Sequence, residues 1–130
     1  MHKTTKTAFT LMEVIFALLI IGVLTAIIIP NFMEMEKRVR KDACINHLMA
    51  IKLAKEQWAL ENNKGSTDTP TSTDLDTYIK SGTASLYCPL DTGKSFGASY
   101  TINRMDANPI CKIEPTTHKL TVTTPPADSR

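Results

Sequence analysis

The stretch from Phe9 to Pro30, FTLMEVIFALLIIGVLTAIIIP, constrains this chain more than any other, because it is apolar at nearly every position and holds no Lys, Arg or His. Its residues up to Ile29 would make a helix of about 31 Å, enough to cross the roughly 30 Å hydrocarbon core of a bilayer. The chain is therefore expected to enter a membrane here. Glu13 breaks the pattern. A lipid-facing carboxylate costs roughly 2.5 to 3.5 kcal/mol on insertion scales, and the stretch offers it no cation, so its partner should come from another chain. A free α-amine would serve. A cut between Ala8 and Phe9 would leave the new terminus four residues from Glu13, on the same helical face.

The basic leader MHKTTKTA, the sequence FTLMEV with Glu13 at the fifth residue after the cut, and the apolar run with Gly22 and Pro30 together resemble the N-terminal region of type IV pilins and type II secretion pseudopilins. One departure is Ala8, where that family usually has glycine; alanine is also small. The resemblance implies that a prepilin peptidase removes residues 1–8 on the cytoplasmic side and that the Phe9 amine is methylated. It also implies that Glu13 guides subunits into a helical filament. The implied partners are copies of the chain and other pilins or pseudopilins, the prepilin peptidase, an inner-membrane assembly platform and the lipid bilayer. The implied location is a single-pass inner-membrane precursor with its head outside the cytoplasm, then the filament.

The rest of the chain is modest. At 130 residues it is an anchor plus one small domain, with no room for a large enzyme core. Formal charge is +2, from 15 Lys and Arg against 13 Asp and Glu, and loss of Lys3 and Lys6 with the leader brings it to zero. No nucleic-acid partner is expected from that balance. An ordinary secretory signal is the competing reading of the N-terminus, but its nearest cut, after Ala26, falls inside the apolar run. Charge decides orientation weakly, because Lys37, Arg38, Arg40 and Lys41 oppose the leader lysines and are offset by Glu34, Glu36 and Asp42. The family resemblance supplies the orientation.

Beyond Pro30 the helical pattern continues without Gly or Pro until Gly65. Apolar residues recur at Phe32, Val39, Ala43, Leu48, Ile51 and Trp58, with Cys44 and Ala54 beside them, near a 3.6-residue period. A single helix from Phe9 to about Asn62 would span about 80 Å. Gly22 and Pro30 are its expected points of flexibility or kinking, and Asn63 and Gly65 its expected end. The segment from Arg40 to Asn63 is also similar to a subset of pseudopilin-like proteins. A polar loop follows, then a short helix capped by Ser72 or Thr73, carrying Leu75, Tyr78 and Ile79 and ending at Gly82. FGASYTIN, PICKI and HKLTV read as two to four short antiparallel strands lying on the helix stripe. The tail from Thr124 has the composition of a frayed end. The expected fold is thus α+β and pilin-like: leader 1–8, anchor and filament-core helix 9–30, amphipathic continuation 31–64, and a small head 65–130.

Chemistry-bearing residues are few. In an extracytoplasmic head, Cys88 and Cys111 are expected to form a disulfide closing a loop of roughly 24 residues, worth about 3 kcal/mol. Cys44, beside Leu48 and Ile51, reads as a small buried hydrophobe; its pairing with Cys88 or Cys111, tying helix to sheet, is the alternative. Without a CxxC spacing, zinc is not expected. His47 and His118 have no nucleophile or carboxylate at a recognisable spacing, so no catalytic residue is assigned and no enzyme expected. No cofactor is expected either. Asp91, Asp106 and Asn108 are the loop residues that could hold calcium, as related pseudopilins often do, although the twelve-residue loop pattern is absent. Trp58 and Tyr87 read as core, and KRVRK as a solvated face next to a membrane.

The expected function is that of a structural subunit of a secretion pseudopilus or type IV pilus. A pilus or competence-type subunit whose head binds DNA or a surface is the alternative. N-terminal mass spectrometry of membrane-extracted protein should read Phe9, methylated, as the first residue. An intact Met1 in assembled material, or a terminus at Ile27, would contradict the leader reading.

Overall fold

The structure, a computed structural model, describes residues 8–121. The expectations for leader residues 1–7 and for the tail from residue 122 lie outside the described residues. The chain divides into two units, residues 1–37 and 38–130. In chain order the elements are helix α1 (Leu11–Glu61), α2 (Ser72–Leu75), a 3-10 turn (Thr83–Ser85), α3 (Phe96–Ser99), β1 (Tyr100–Thr101) and β2 (Ile110–Cys111).

The first unit is the apolar part of α1. Thr10 starts it, with its carbonyl accepting from the Glu13 and Val14 amides at 3.1 and 3.3 Å. Thr25 donates back to the Ile21 and Gly22 carbonyls at 2.8 and 3.0 Å, so its hydroxyl adds no unpaired polar group to this segment. Pro30 lies inside the continuous helix and cannot donate to the carbonyl four residues back. The helix is long and apolar enough to cross a membrane, with a mean hydropathy of 2.8 and none of that window buried.

In the second unit, α1 presents one buried stripe, Cys44, Leu48, Ile51, Lys55 and Trp58, spaced alternately four and three residues apart, with Ala54 beside it. That spacing keeps one helical face inward. Leu75, Ile79, Leu86, Cys88, Phe96, Tyr100 and Cys111 cover it. Phe32 and Val39, which the periodicity assigned to the same stripe, are instead exposed; the buried residues of α1 begin at Cys44.

The expected class holds: a long helix with a small antiparallel sheet. The sheet is minimal, two strands of two residues with Tyr100 opposite Cys111 and Thr101 opposite Ile110. Of FGASYTIN, the first four residues form α3 rather than strand, and the described part of HKLTV is not strand. The α1 terminus falls near the expected Asn63 and Gly65. Asn63, at φ 51°, takes the left-handed position, and the Lys64 amide reaches back to the Ala59 carbonyl at 2.9 Å, a Schellman closure carried by Asn63. The α2 cap is Thr71, one residue earlier than expected; its hydroxyl accepts from the Asp74 amide while the Asp74 carboxylate accepts from the Thr71 amide. Gly82 does end the following turns, at φ 72°, a conformation that a side chain would strain.

With so little sheet, the loop after β1 needs another anchor, and Lys55 supplies it. The side chain is 2% exposed, and its ammonium donates to the Ile102, Arg104 and Ala107 carbonyls at 2.9, 2.7 and 2.8 Å. All three ammonium protons are thereby used. Burial pulls the Lys55 pKa down, opposed by the nearby Asp106 and Glu56 carboxylates. Lys55→Met would keep the stem and orphan three carbonyls, so it should cost about 3 kcal/mol. The check is urea unfolding of the detergent-solubilised chain followed by fluorescence of Trp58, the only tryptophan; an unchanged midpoint would remove Lys55 from this role.

Candidate functional site

Two places carry chemistry. The first is the start of α1. Glu13 sits in the first helical turn, among Phe9, Leu11, Met12 and Phe16, which are all exposed. Among the described residues its carboxylate has no ion-pair partner. Ala8 and Phe9 precede the helix, and Gly22 and Pro30 lie within it.

The second is inside the head. Cys44 comes from α1, Cys88 from the loop before α3, Cys111 from β2, and His118 from the turn that follows, where its amide donates to the Glu114 carbonyl at 2.9 Å. All four residues are buried, and their donor atoms lie within 4.8 Å of one another. The His118 Nδ1 is 3.7 Å from the Cys88 sulfur and 4.0 Å from that of Cys111. Cys88 and Cys111, the expected disulfide pair, are free in the structure, as is Cys44. The stripe of α1 brings Cys44 to the same point, and His118 lies against the sulfurs of Cys88 and Cys111. From sequence, Cys44 reads as a small buried hydrophobe or a partner of Cys88 or Cys111, His118 has no partner, and no CxxC points to zinc. That spacing arises when one knuckle supplies two ligands; here four separate segments supply one each.

The surroundings are ordered. The Cys88 carbonyl accepts from the Asp91 amide at 2.8 Å, and the Leu90 amide points at the Cys88 sulfur, which together make a tight knuckle around Cys88-Pro89. The Cys88 amide donates to the Ser99 hydroxyl at 2.9 Å, which donates to Asp91 Oδ2 at 2.8 Å. Tyr100 donates to the Cys44 sulfur at 3.6 Å, and His47 Nδ1 lies 3.1 Å from both the Tyr100 hydroxyl and the Tyr87 carbonyl. Burial pushes the Cys44 and Cys88 thiols up and the His118 imidazole down. Burial, with the Cys44 contact, also raises Tyr100. All four shifts favour the neutral forms.

The residues considered for calcium are engaged locally. Asp91 accepts from the Gly93 and Ser95 amides and from Ser99, Asp106 pairs with Arg104 at 2.9 Å, and the Asn108 carbonyl accepts from Asn103. A cleft lined by Phe96, Tyr100, Ile102, Arg104 and Lys112 opens beside β1, and its basic residues are engaged as well: Lys112 donates to the Gly97 carbonyl at 2.7 Å, and Arg104 pairs with Asp106.

Over 84 residues, 65% of this chain, the sequence is 29% identical to the type II secretion system core protein G of Aeromonas hydrophila, covering 57% of that protein. It is 31% identical over 55 residues to the protein of that name from Escherichia coli K12, and 24% identical over 64 residues to that of Klebsiella michiganensis. These matches cover 42% and 49% of this chain, and 38% and 45% of those relatives. The chain spans about half the length of the curated relatives it matches. No protein-family model matches the chain, and no solved structure does. These relatives bear out the resemblance to pseudopilins drawn from the N-terminal motif.

Ser99 first, then the Ser95 and Gly93 amides, hold the Asp91 carboxyl below its ordinary value of 3.8. A carboxyl depressed in the folded state contributes stability that is present above its unfolded pKa and lost as pH falls through the folded value. Asp91→Asn should therefore lower stability at neutral pH and flatten the acid limb below about pH 4, measured by near-ultraviolet circular dichroism. Parallel acid limbs for mutant and wild type would refute the assignment.

Proposed function

We propose that this chain is a pseudopilin-type subunit of a type II secretion filament, made as a membrane-anchored precursor and assembled through the apolar half of α1. The observation that carries the reading is that half itself: continuous, wholly unburied, and interrupted by one carboxylate that has no ion-pair partner among the described residues. Similarity to curated type II secretion system core proteins G supports the same reading. In this proposal the leader is cut after Ala8 by a prepilin peptidase and the new Phe9 amine is methylated. The subunit waits in the inner membrane with its head outside the cytoplasm until an assembly platform draws it into the filament. The role is structural rather than enzymatic.

Energetics assign Glu13 its part. In a lone subunit, Glu13 carries the cost of a carboxylate in an apolar segment with no cation to meet. In a filament it gains the N-terminal amine of a neighbour, a charge-assisted contact in a low-dielectric core. Assembly then depends on Glu13 while folding and insertion do not. Glu13→Leu should anchor at least as well as wild type yet give little sheared filament, and Glu13→Asp should retain part of the yield. Membrane retention and filament yield, measured side by side, are the test. Normal filament yield from Glu13→Leu would end the claim.

A further inference from the structure

We propose that Cys44, Cys88, Cys111 and His118 form a structural zinc site that fastens the loop-rich head to its helix. Three sulfurs and an imidazole are the soft, borderline donors that zinc selects, and four protein ligands with no open position make a structural rather than a catalytic centre. A tetrahedron with Zn–S near 2.3 Å and Zn–N near 2.0 Å has edges of roughly 3.5 to 3.8 Å. The His118 Nδ1 to sulfur distances of 3.7 and 4.0 Å already fall near that range. The longest separation, 4.8 Å, closes with a contraction of about 1 Å, within reach of side-chain rotation.

A disulfide explains the cluster less well. It would use two of the three sulfurs and leave the third thiol and the buried imidazole without a task. A metal uses all four. The donors around the cluster point the same way. The Leu90 amide is aimed at the Cys88 sulfur and the Tyr100 hydroxyl at that of Cys44, the kind of outer-shell contact that steadies metal-bound thiolates. With Nδ1 turned to the sulfurs, the proton of the neutral ring sits on Nε2.

Binding is a proton exchange without electron transfer. Three thiols release three protons to water, three Zn–S bonds and one Zn–N bond form, and neither metal nor sulfur changes oxidation state. Three thiolates and a divalent ion leave one net negative charge; Glu114 and, more weakly, Lys41 both act on His118 electrostatically, in opposite senses. The structural return is large because the ligands come from α1, the Cys88 loop, β2 and the turn after it. Strands of two residues cannot hold these pieces together by themselves, and small domains often recruit a metal for this purpose.

The test uses the full chain, purified in detergent without a polyhistidine tag. Metal analysis should find about one zinc per chain, released when a mercurial reagent blocks the thiols. Non-reducing peptide mapping should find Cys44, Cys88 and Cys111 all uncrosslinked. Chain reduced and stripped under anaerobic conditions should take up cobalt(II) with the intense visible bands of a tetrahedral thiolate complex, and zinc should displace it. His118→Cys should keep the metal and strengthen the sulfur-to-cobalt charge-transfer band, whereas His118→Ala should lower zinc affinity by more than 100-fold, beyond the roughly 10- to 100-fold cost of outer-shell changes. Tyr100→Phe should fall within that outer-shell range. The wild-type cobalt spectrum keeps the proposal testable if a ligand variant fails to fold. A disulfide among these cysteines in metal-free protein from cells, or the absence of a tetrahedral cobalt spectrum from the reduced chain, overturns it.

Discussion

One face of one helix, Cys44 to Trp58, is the wall against which the described part of the head is built. The head has almost no sheet of its own, so its loops must be held individually, and α1 holds them by three kinds of contact. Leu48, Ile51, Ala54 and Trp58 supply apolar area, at roughly 25 cal/mol per Å² removed from water. Lys55 supplies a buried cation that gathers three carbonyls of one loop. Cys44 supplies the helix's share of a cluster completed by three other segments. Removing the wall would leave short pieces with no layer to pack on.

The polar contacts explain how a head of this composition avoids orphaned groups. Among the described residues, no buried side-chain nitrogen or oxygen lacks a partner. The buried Lys is satisfied by backbone, and the Cys88 knuckle is tied through Ser99 to Asp91. The turn before the 3-10 segment is closed by Asp76, whose Oδ1 accepts from the Thr83 amide and hydroxyl at 2.7 and 2.6 Å. These are local solutions, each within a loop or between a loop and the helix. They substitute for the ladder of a larger sheet.

What was legible in the sequence follows from what periodicity encodes. The apolar run and the stripe through Leu48, Ile51 and Trp58 were readable because helical spacing repeats, and α+β followed from the turn-rich remainder. Lys55 was not readable, since a lysine in a stripe looks like its edge until the carbonyls that receive it are placed. Phe32 and Val39 were misread because periodicity reports a helical face without reporting where its cover begins. The end of α1 at Asn63 was readable from its cap chemistry, whereas the cap of α2 lies at Thr71, one residue before Ser72, because Thr71 and Asp74 complete a capping box. The Cys44–Cys88–Cys111–His118 cluster is hidden for another reason: its members are far apart in sequence, and the strand-and-turn region that Cys88 and Cys111 share does not reveal that Cys44 and His118 meet them.

The bonds that join helix to head span long stretches of chain. Those from His47 and Lys55 reach residues 40 to 53 positions later, and Cys44 meets Tyr100 across 56. Contacts of that separation form slowly, because the intervening chain must be closed into a loop before any of them gives a return, whereas a helix forms within microseconds. By these timescales folding of this chain is a docking problem: a helix can form before the later segments reach its stripe. In such an interval Leu48, Ile51 and Trp58 would be open to any other apolar surface, so whatever shortens the search for the helix also guards the newly made chain against sticking to others.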